Sequence, residues 1–165
     1  MARPIHRIDS VAVGDGARLT VAWDNGASAT IDLSGWIATG ADRTAPLKDR
    51  ALFARAEVFE YGSAVAWDED GEIAIDSLHL EMLAEQQRDF GRPELMAWQQ
   101  TTGLSNNEAA DLLGISPATW LNYKNGSTRI PGAIAIACRA VQRDRLLFEA
   151  HYRPRMAGRP AASSR

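Results

Sequence analysis

Apolar side chains recur at every second position through much of residues 8–75. Val11 and Val13 lead into Asp15-Gly16, after which Leu19, Val21 and Trp23 share one face. Asp24-Asn25-Gly26 follows, and Asn-Gly tolerates the positive φ of a type I′ hairpin turn. The spacing therefore predicts a return strand carrying Ala29, Ile31 and Leu33. A second group repeats the pattern: Val58, Phe59 and Tyr61, then Gly62-Ser63, then Ala64 to Trp67. Asp68-Glu69-Asp70-Gly71 turns that chain back into Ile73 and Ile75. Between the groups, Leu47, Leu52 and Phe53 fit a short helix or a packed loop. The prediction for this half is a small antiparallel sheet with a helical connection.

From Ser77 to Asp89 the period becomes helical. Leu78, Met82 and Gln86 form one stripe, Leu80, Leu83 and Ala84 lie beside it, and Ser77 is the expected N-cap. This helix covers the sheet or leads to the next domain, and Gly91-Arg92-Pro93 marks the boundary. Residues 93–144 predict three or four short helices. Pro93 opens the first, which runs through Leu95, Met96, Trp98 and Gln99 to Thr102 and ends at Gly103. Ser105-Asn106-Asn107-Glu108 is a capping box, and Gly114 is a left-handed stop after Ala109, Ala110, Leu112 and Leu113. Ser116-Pro117 restarts the chain, with Trp120 and Tyr123 inward and Asn125-Gly126 as the stop. Pro131 opens a helix with Ile134, Ile136, Ala137, Ala140 and Val141 as apolar contacts, and Leu146, Leu147 and Phe148 continue within a helix over 145–152. Helices this short need a surrounding domain to be stable.

The expected layout is α+β: a domain over 1–88 with a small antiparallel sheet and helices, an all-α domain of four to five helices over 93–152, and a disordered basic tail over 153–165. The tail serves either as a non-specific phosphate contact or as a plain solubilising terminus.

Composition fits an ordinary globular protein, with 45% hydrophobic and 24% charged residues among 165. No apolar run approaches the roughly 18 residues of a membrane span, and Met1-Ala2-Arg3-Pro4-Ile5-His6 lacks the apolar stretch of a signal peptide. A cytoplasmic protein without membrane partners is expected. The lone Cys138 excludes an internal disulfide and the usual thiolate zinc cluster, and is expected as a buried small hydrophobe. The net charge of −3 argues against a nucleic-acid partner until the chain is split after Glu85. Residues 1–85 hold 7 basic and 15 acidic side chains, net −8, whereas residues 86–165 hold 11 and 6, net +5. Such asymmetry points to two modules with different partners.

The first half offers no catalytic set. Asp68, Glu69, Asp70 and Glu72 lack the ligand spacing of a calcium loop and fit a solvated turn. His6 and His79 stand alone, and neither Ser34 nor Ser63 lies in a nucleophile elbow. Trp23, Trp36, Phe59 and Trp67 fit a core better than a ligand cage. No enzyme activity, metal or cofactor is expected. The spacing of Asp24-Asn25-Gly26, Leu47-x-Asp49 and Val65-x-Trp67-Asp68-x-x-Gly71 resembles a small bacterial α+β domain family of unknown function over about residues 5–85. Members of that family occur alone or ahead of a repressor-type DNA-binding domain, so the resemblance implies a fold and no activity.

In the second half, the small Ala110 lets two helices pack closely, Gly114 supplies positive φ, and Ile115 fills the angle between them. The run Glu108-Ala109-Ala110-Asp111-Leu112-Leu113-Gly114-Ile115-Ser116, through Tyr123-Lys124-Asn125-Gly126 to Ile130-Pro131, resembles the lambda-repressor-like helix-turn-helix of the xenobiotic-response-element type over about residues 93–150. The resemblance implies a DNA-binding transcriptional regulator whose helix starting at Ser116 reads the major groove. Its reading face would be Ser116, Pro117, Ala118, Thr119 and Asn122, with Asn122 pairing with adenine and Ala118 touching a thymine methyl. Asn106 or Asn107 would meet a phosphate, and Lys124, Asn125, Ser127, Thr128 and Arg129 would hold the opposite backbone stretch. Pro117 and Ala118 stand where the family often has Gln or Arg, and Leu121 where a polar residue is common. That departure shifts specificity toward dimerisation and DNA shape. A homodimer is expected because such domains read paired half-sites. The alternative is an interaction adaptor, such as an antitoxin-like partner, whose acidic N-terminal domain binds a basic protein.

Overall fold

A computed structural model of the chain describes residues 4–156. By contact it divides into two compact units, one ending at Arg88 and the other beginning at Asp89. The described residues are mixed α and β, with two three-stranded antiparallel sheets and nine α-helices.

The first sheet has the order β1 (Ile8–Val13), β2 (Arg18–Trp23), β3 (Ser28–Asp32). Leu19 opposes Ile31 and Val21 opposes Ala29, which turns Leu19, Val21, Trp23 and Ile31 inward together. The β2–β3 turn differs from the type I′ expectation. That type needs positive φ at both central residues, and here only Gly26 has it, at 82°. The connection is instead a three-residue loop closed by Trp23 N–H donating to the Ala27 carbonyl at 2.9 Å, while the Asn25 amide oxygen accepts from Ala27 N–H at 2.9 Å.

The helical connection is α1 (Ser34–Thr39), α2 (Ala41–Thr44), a 3-10 turn over Ala45–Lys48, and α3 (Arg50–Phe53). Arg50 fastens it to the sheet by donating to the carbonyls of Gly14 and Gly16. A second sheet follows, β4 (Glu57–Phe59), β5 (Ala64–Ala66) and β6 (Ala74–Asp76), so the single expected sheet is two. The outer side of β3 is met by a helix rather than a strand. That helix is α4 (Ser77–Gln87), whose Gln87 amide accepts from Asp32 N–H at 2.8 Å and donates to the Asp32 carbonyl at 2.7 Å. Beside β1, Glu60, Tyr61 and Gly62 take left-handed backbone at φ 40°, 57° and 86°. Asp68 accounts for the acidic turn: its carboxylate accepts from Glu72 and Ile73 N–H at 2.9 and 2.8 Å. Among the described residues no cluster of three or more His, Cys, Asp or Glu side chains is placed to hold a metal ion.

The cap of α4 is Asp76, which accepts from His79 N–H at 2.8 Å, and not Ser77. Ser77 is buried in the first turn, where its hydroxyl donates to the His6 carbonyl and accepts from the Trp23 indole at 2.9 Å. That anchor sets the phase of the helix. Leu80 and Glu81 are buried, with Leu83 and Ala84 packed on the core, in place of the expected Leu78, Met82 and Gln86 stripe. His6 Nδ1 lies 2.7 Å from Glu81 Oε1. Trp67 fills the centre against Phe53 and Trp36, its indole donating to the Phe53 carbonyl at 2.9 Å. The tryptophans serve the core.

The second unit contains α5 (Arg92–Thr102), α6 (Asn106–Leu113), α7 (Pro117–Asn125), α8 (Gly132–Arg143) and α9 (Arg145–His151). Leu95, Trp98, Ala109, Ala110, Trp120 and Cys138 are buried, with the Trp98 and Trp120 rings 6.0 Å apart. On α8 Ile134 and Val141 pack on the core as expected, and Ile136 alone clearly departs from the expected face. Ala135, Cys138 and Val141 point inward and Ile136 is 68% exposed. Burial pushes the Cys138 thiol up to about 12, which keeps it a neutral packing group. Of the expected tail, Arg153–Met156 are described and 157–165 lie outside the described residues. No helix among the described residues is long and apolar enough to cross a membrane.

Gly62 yields a stability prediction. A Cβ there would sit 2.5 Å from the Ile8 carbonyl oxygen, at a φ of +86°, whereas a Cβ at Gly16 meets nothing within 4 Å. Gly62→Ala is expected to lower unfolding stability by about 2 kcal/mol or more, and Gly16→Ala by about 1 kcal/mol. Urea titrations of both variants check the difference.

Candidate functional site

The α6–α7 pair is built from its ends. Ser105 and Glu108 form the expected capping box: Ser105 N–H donates to the Glu108 carboxylate at 2.9 Å and Glu108 N–H donates to Ser105 Oγ at 3.3 Å. At the other end Gly114 is left-handed at φ 67°, with its N–H on the Asp111 carbonyl and the Ile115 N–H on the Ala110 carbonyl at 3.0 Å. These paired bonds are a Schellman motif, which stops α6 and lets the chain restart at once as α7. Ala110 is fully buried, so the two helices meet over a methyl group.

Around this pair some of the predicted site residues hydrogen-bond within the fold, although Asn106, Ser116, Asn125 and Ser127 remain exposed, and the others make no such side-chain bond among the described residues. The Asn106 side-chain oxygen accepts from Gln99 Nε2 at 3.0 Å, Trp120 Nε1 at 3.0 Å and Lys124 Nζ at 2.8 Å, which ties α5 and α7 to the start of α6. Lys124 is thereby tied to the start of α6 and is half-buried, and its own carbonyl accepts from the Arg92 guanidinium. Ser116 caps α7 by accepting from Thr119 N–H at 3.0 Å, and the two hydroxyls bond each other at 2.9 Å. Asn125 closes the next turn by accepting from the N–H and hydroxyl of Ser127.

Asn107, Pro117, Ala118, Asn122, Thr128 and Arg129 are exposed. The side chains of Asn107, Asn122 and Arg129 have no hydrogen-bond partner among the described residues. Pro117, Ala118, Leu121 and Asn122 make the outer face of α7, opposite the buried Trp120 and Tyr123. The geometry therefore provides an exposed helix, mixed apolar and amide in character, held rigidly from behind.

Sequence spacing missed one group entirely. Beyond α9 the chain folds back over α6, where the Tyr152 hydroxyl and the Arg155 N–H donate to Glu108 Oε1 at 3.1 and 2.9 Å. The Arg155 guanidinium clasps both oxygens of Asp111 at 2.7 and 2.9 Å. Arg155 thus belongs to a fixed strap, although the expectation placed it in the tail. These partners are 44 or more positions apart in sequence, and no local pattern announces them.

No protein-family model matches the chain, and no curated protein matches it significantly. A solved structure of a candidate DNA-binding protein from Nitrosomonas europaea is similar at 24% identity and a TM-score of 0.44, over 85% of this chain and 88% of that one. A likeness of that size leaves function to be argued from the geometry.

The capping box and the strap together give the site a pH dependence. The N–H groups of Ser105 and Arg155, with the Ser105 and Tyr152 hydroxyls, hold the Glu108 carboxyl at about 2, well below its ordinary 4.5. The folded state therefore binds this proton less readily than the unfolded chain does. The stabilisation is complete above about 4.5 and is lost as pH falls toward about 2. Urea midpoints followed on the Trp120 indole NMR signal are expected to fall through that window, and Glu108→Gln is expected to flatten the fall.

Proposed function

We propose that the chain is a DNA-binding regulator in which α7 enters the major groove. The observation that carries this reading is the division of α7 into a locked inner face, Trp120 and Tyr123, and an open outer face, Pro117, Ala118, Leu121 and Asn122. A short helix whose rear is fixed by its neighbours can be pressed into a groove without losing its shape. The Schellman turn at Gly114 supports the helix-turn-helix reading because it sets where α6 ends and α7 restarts, while the box at Ser105 fixes the start of α6.

In this reading Asn122 is the base-pairing amide and Arg129 the phosphate contact, since both side chains are exposed and without partners among the described residues. Asn107, at the exposed start of α6, is a second phosphate contact. Asn106 and Lys124 act behind the interface, holding α7 in place. The chain functions as a homodimer on paired half-sites.

Fluorescence anisotropy of the full chain on labelled duplexes tests this. Affinity is expected to fall linearly on a log-log plot against salt as counterions are released. Arg129→Ala should weaken binding to every sequence alike and reduce that slope by about one, whereas Asn122→Ala should relax discrimination at one base pair by about 1–3 kcal/mol. Absence of salt-dependent binding would overturn the proposal.

A further inference from the structure

The outer face of α7 carries no arginine, lysine or glutamine. Its residues at helical spacing are Ala118, Leu121 and Asn122, with Pro117 at the leading end. Leu121 keeps 46% of its surface exposed although Trp120 and Tyr123, its neighbours in sequence, are buried. The nine-residue helix thus presents an isopropyl group, a methyl group and a proline ring on the side that the fold leaves open.

Guanine is read chiefly by the bidentate donors of Arg and Lys, which this face lacks. The apolar feature of the major groove is the 5-methyl group of thymine, and burying apolar surface is favourable in proportion to its area. Resting on the DNA-binding reading above, we infer that Leu121, together with Ala118, recognises base-pair methyl groups, so that the chain selects sites rich in thymine. Asn122, on the same face, adds an amide able to pair with adenine N6 and N7 on the partner strand. Leu121 is then a specificity-determining residue that gains its binding energy by desolvation and contributes no hydrogen bond.

Two duplexes of equal length isolate the methyl group: alternating dA·dT and alternating dA·dU. They present the same phosphate charge and the same hydrogen-bonding groups in the major groove, and differ by the thymine methyls. The full chain is titrated with each by anisotropy. The dA·dT duplex is expected to bind more tightly, by about fourfold for each methyl buried. Leu121→Ser should remove most of that difference while keeping the salt dependence, and a circular dichroism spectrum establishes that the variant is folded. Equal affinity for the two duplexes, with salt-dependent binding intact, overturns methyl recognition and leaves the DNA-binding reading standing. A dA·dT preference that survives undiminished in Leu121→Ser overturns the role of Leu121 and leaves Ala118 or duplex shape as its source. Absence of salt-dependent binding to either duplex overturns the DNA-binding reading itself.

Discussion

Three helices of the second unit converge on one oxygen atom. Asn106 Oδ1 accepts from an amide of α5 and from an indole and an ammonium of α7, and the residue that owns it is the first of α6. A buried indole N–H that loses its acceptor costs about 1–3 kcal/mol, so the Trp120 contact alone makes this amide hard to replace. The contact has a directional effect as well. Because Trp120 is held from inside, the opposite side of α7 has one fixed orientation toward solvent. The exposed character of Ala118, Leu121 and Asn122 follows from what happens on the hidden side of the helix.

The parts of the fold legible in the sequence are those in which a residue acts on its near neighbours. The box at Ser105 and Glu108, the stop at Gly114, the cap at Ser116 and the acidic turn at Asp68 are contacts across a few positions, and each follows from residue type. Ser77 shows where this logic stops. It has the chemistry of a cap, but Trp23 and His6 engage its hydroxyl from more than 50 positions away, and the cap passes to Asp76. Ile136 departs from expectation in a similar way: α8 meets the Trp98 indole through the Cys138 carbonyl, a contact 40 positions away that spacing along α8 does not show. In the site itself the spacing along the chain does not show that Asn106 and Lys124 hydrogen-bond each other across α6 and α7, a contact 18 positions apart.

The charge asymmetry acquires a finer meaning once partners are known. Several cations of the basic half are engaged within it: Lys124 on Asn106, Arg155 on Asp111 and Arg145 on Glu149. Arg155 also offsets an acidic group on α6, the helix that precedes the open face of α7. These ion pairs leave the net charge of the half unchanged but show which cations are committed, and the side chain of Arg129, in the loop after α7, has no hydrogen-bond or ion-pair partner among the described residues.

The Gln87 amide beside β3 has a consequence for how copies of this protein meet. A primary amide offers a strand edge one donor and one acceptor, the same pair a neighbouring peptide group would offer. By satisfying both groups of Asp32, Gln87 imitates the first rung of a fourth strand and ends the ladder there. An incoming strand would have to displace it before pairing at that end of β3. The side chain thus protects the sheet against edge-to-edge growth, a form of aggregation resistance supplied by the last residue of a helix.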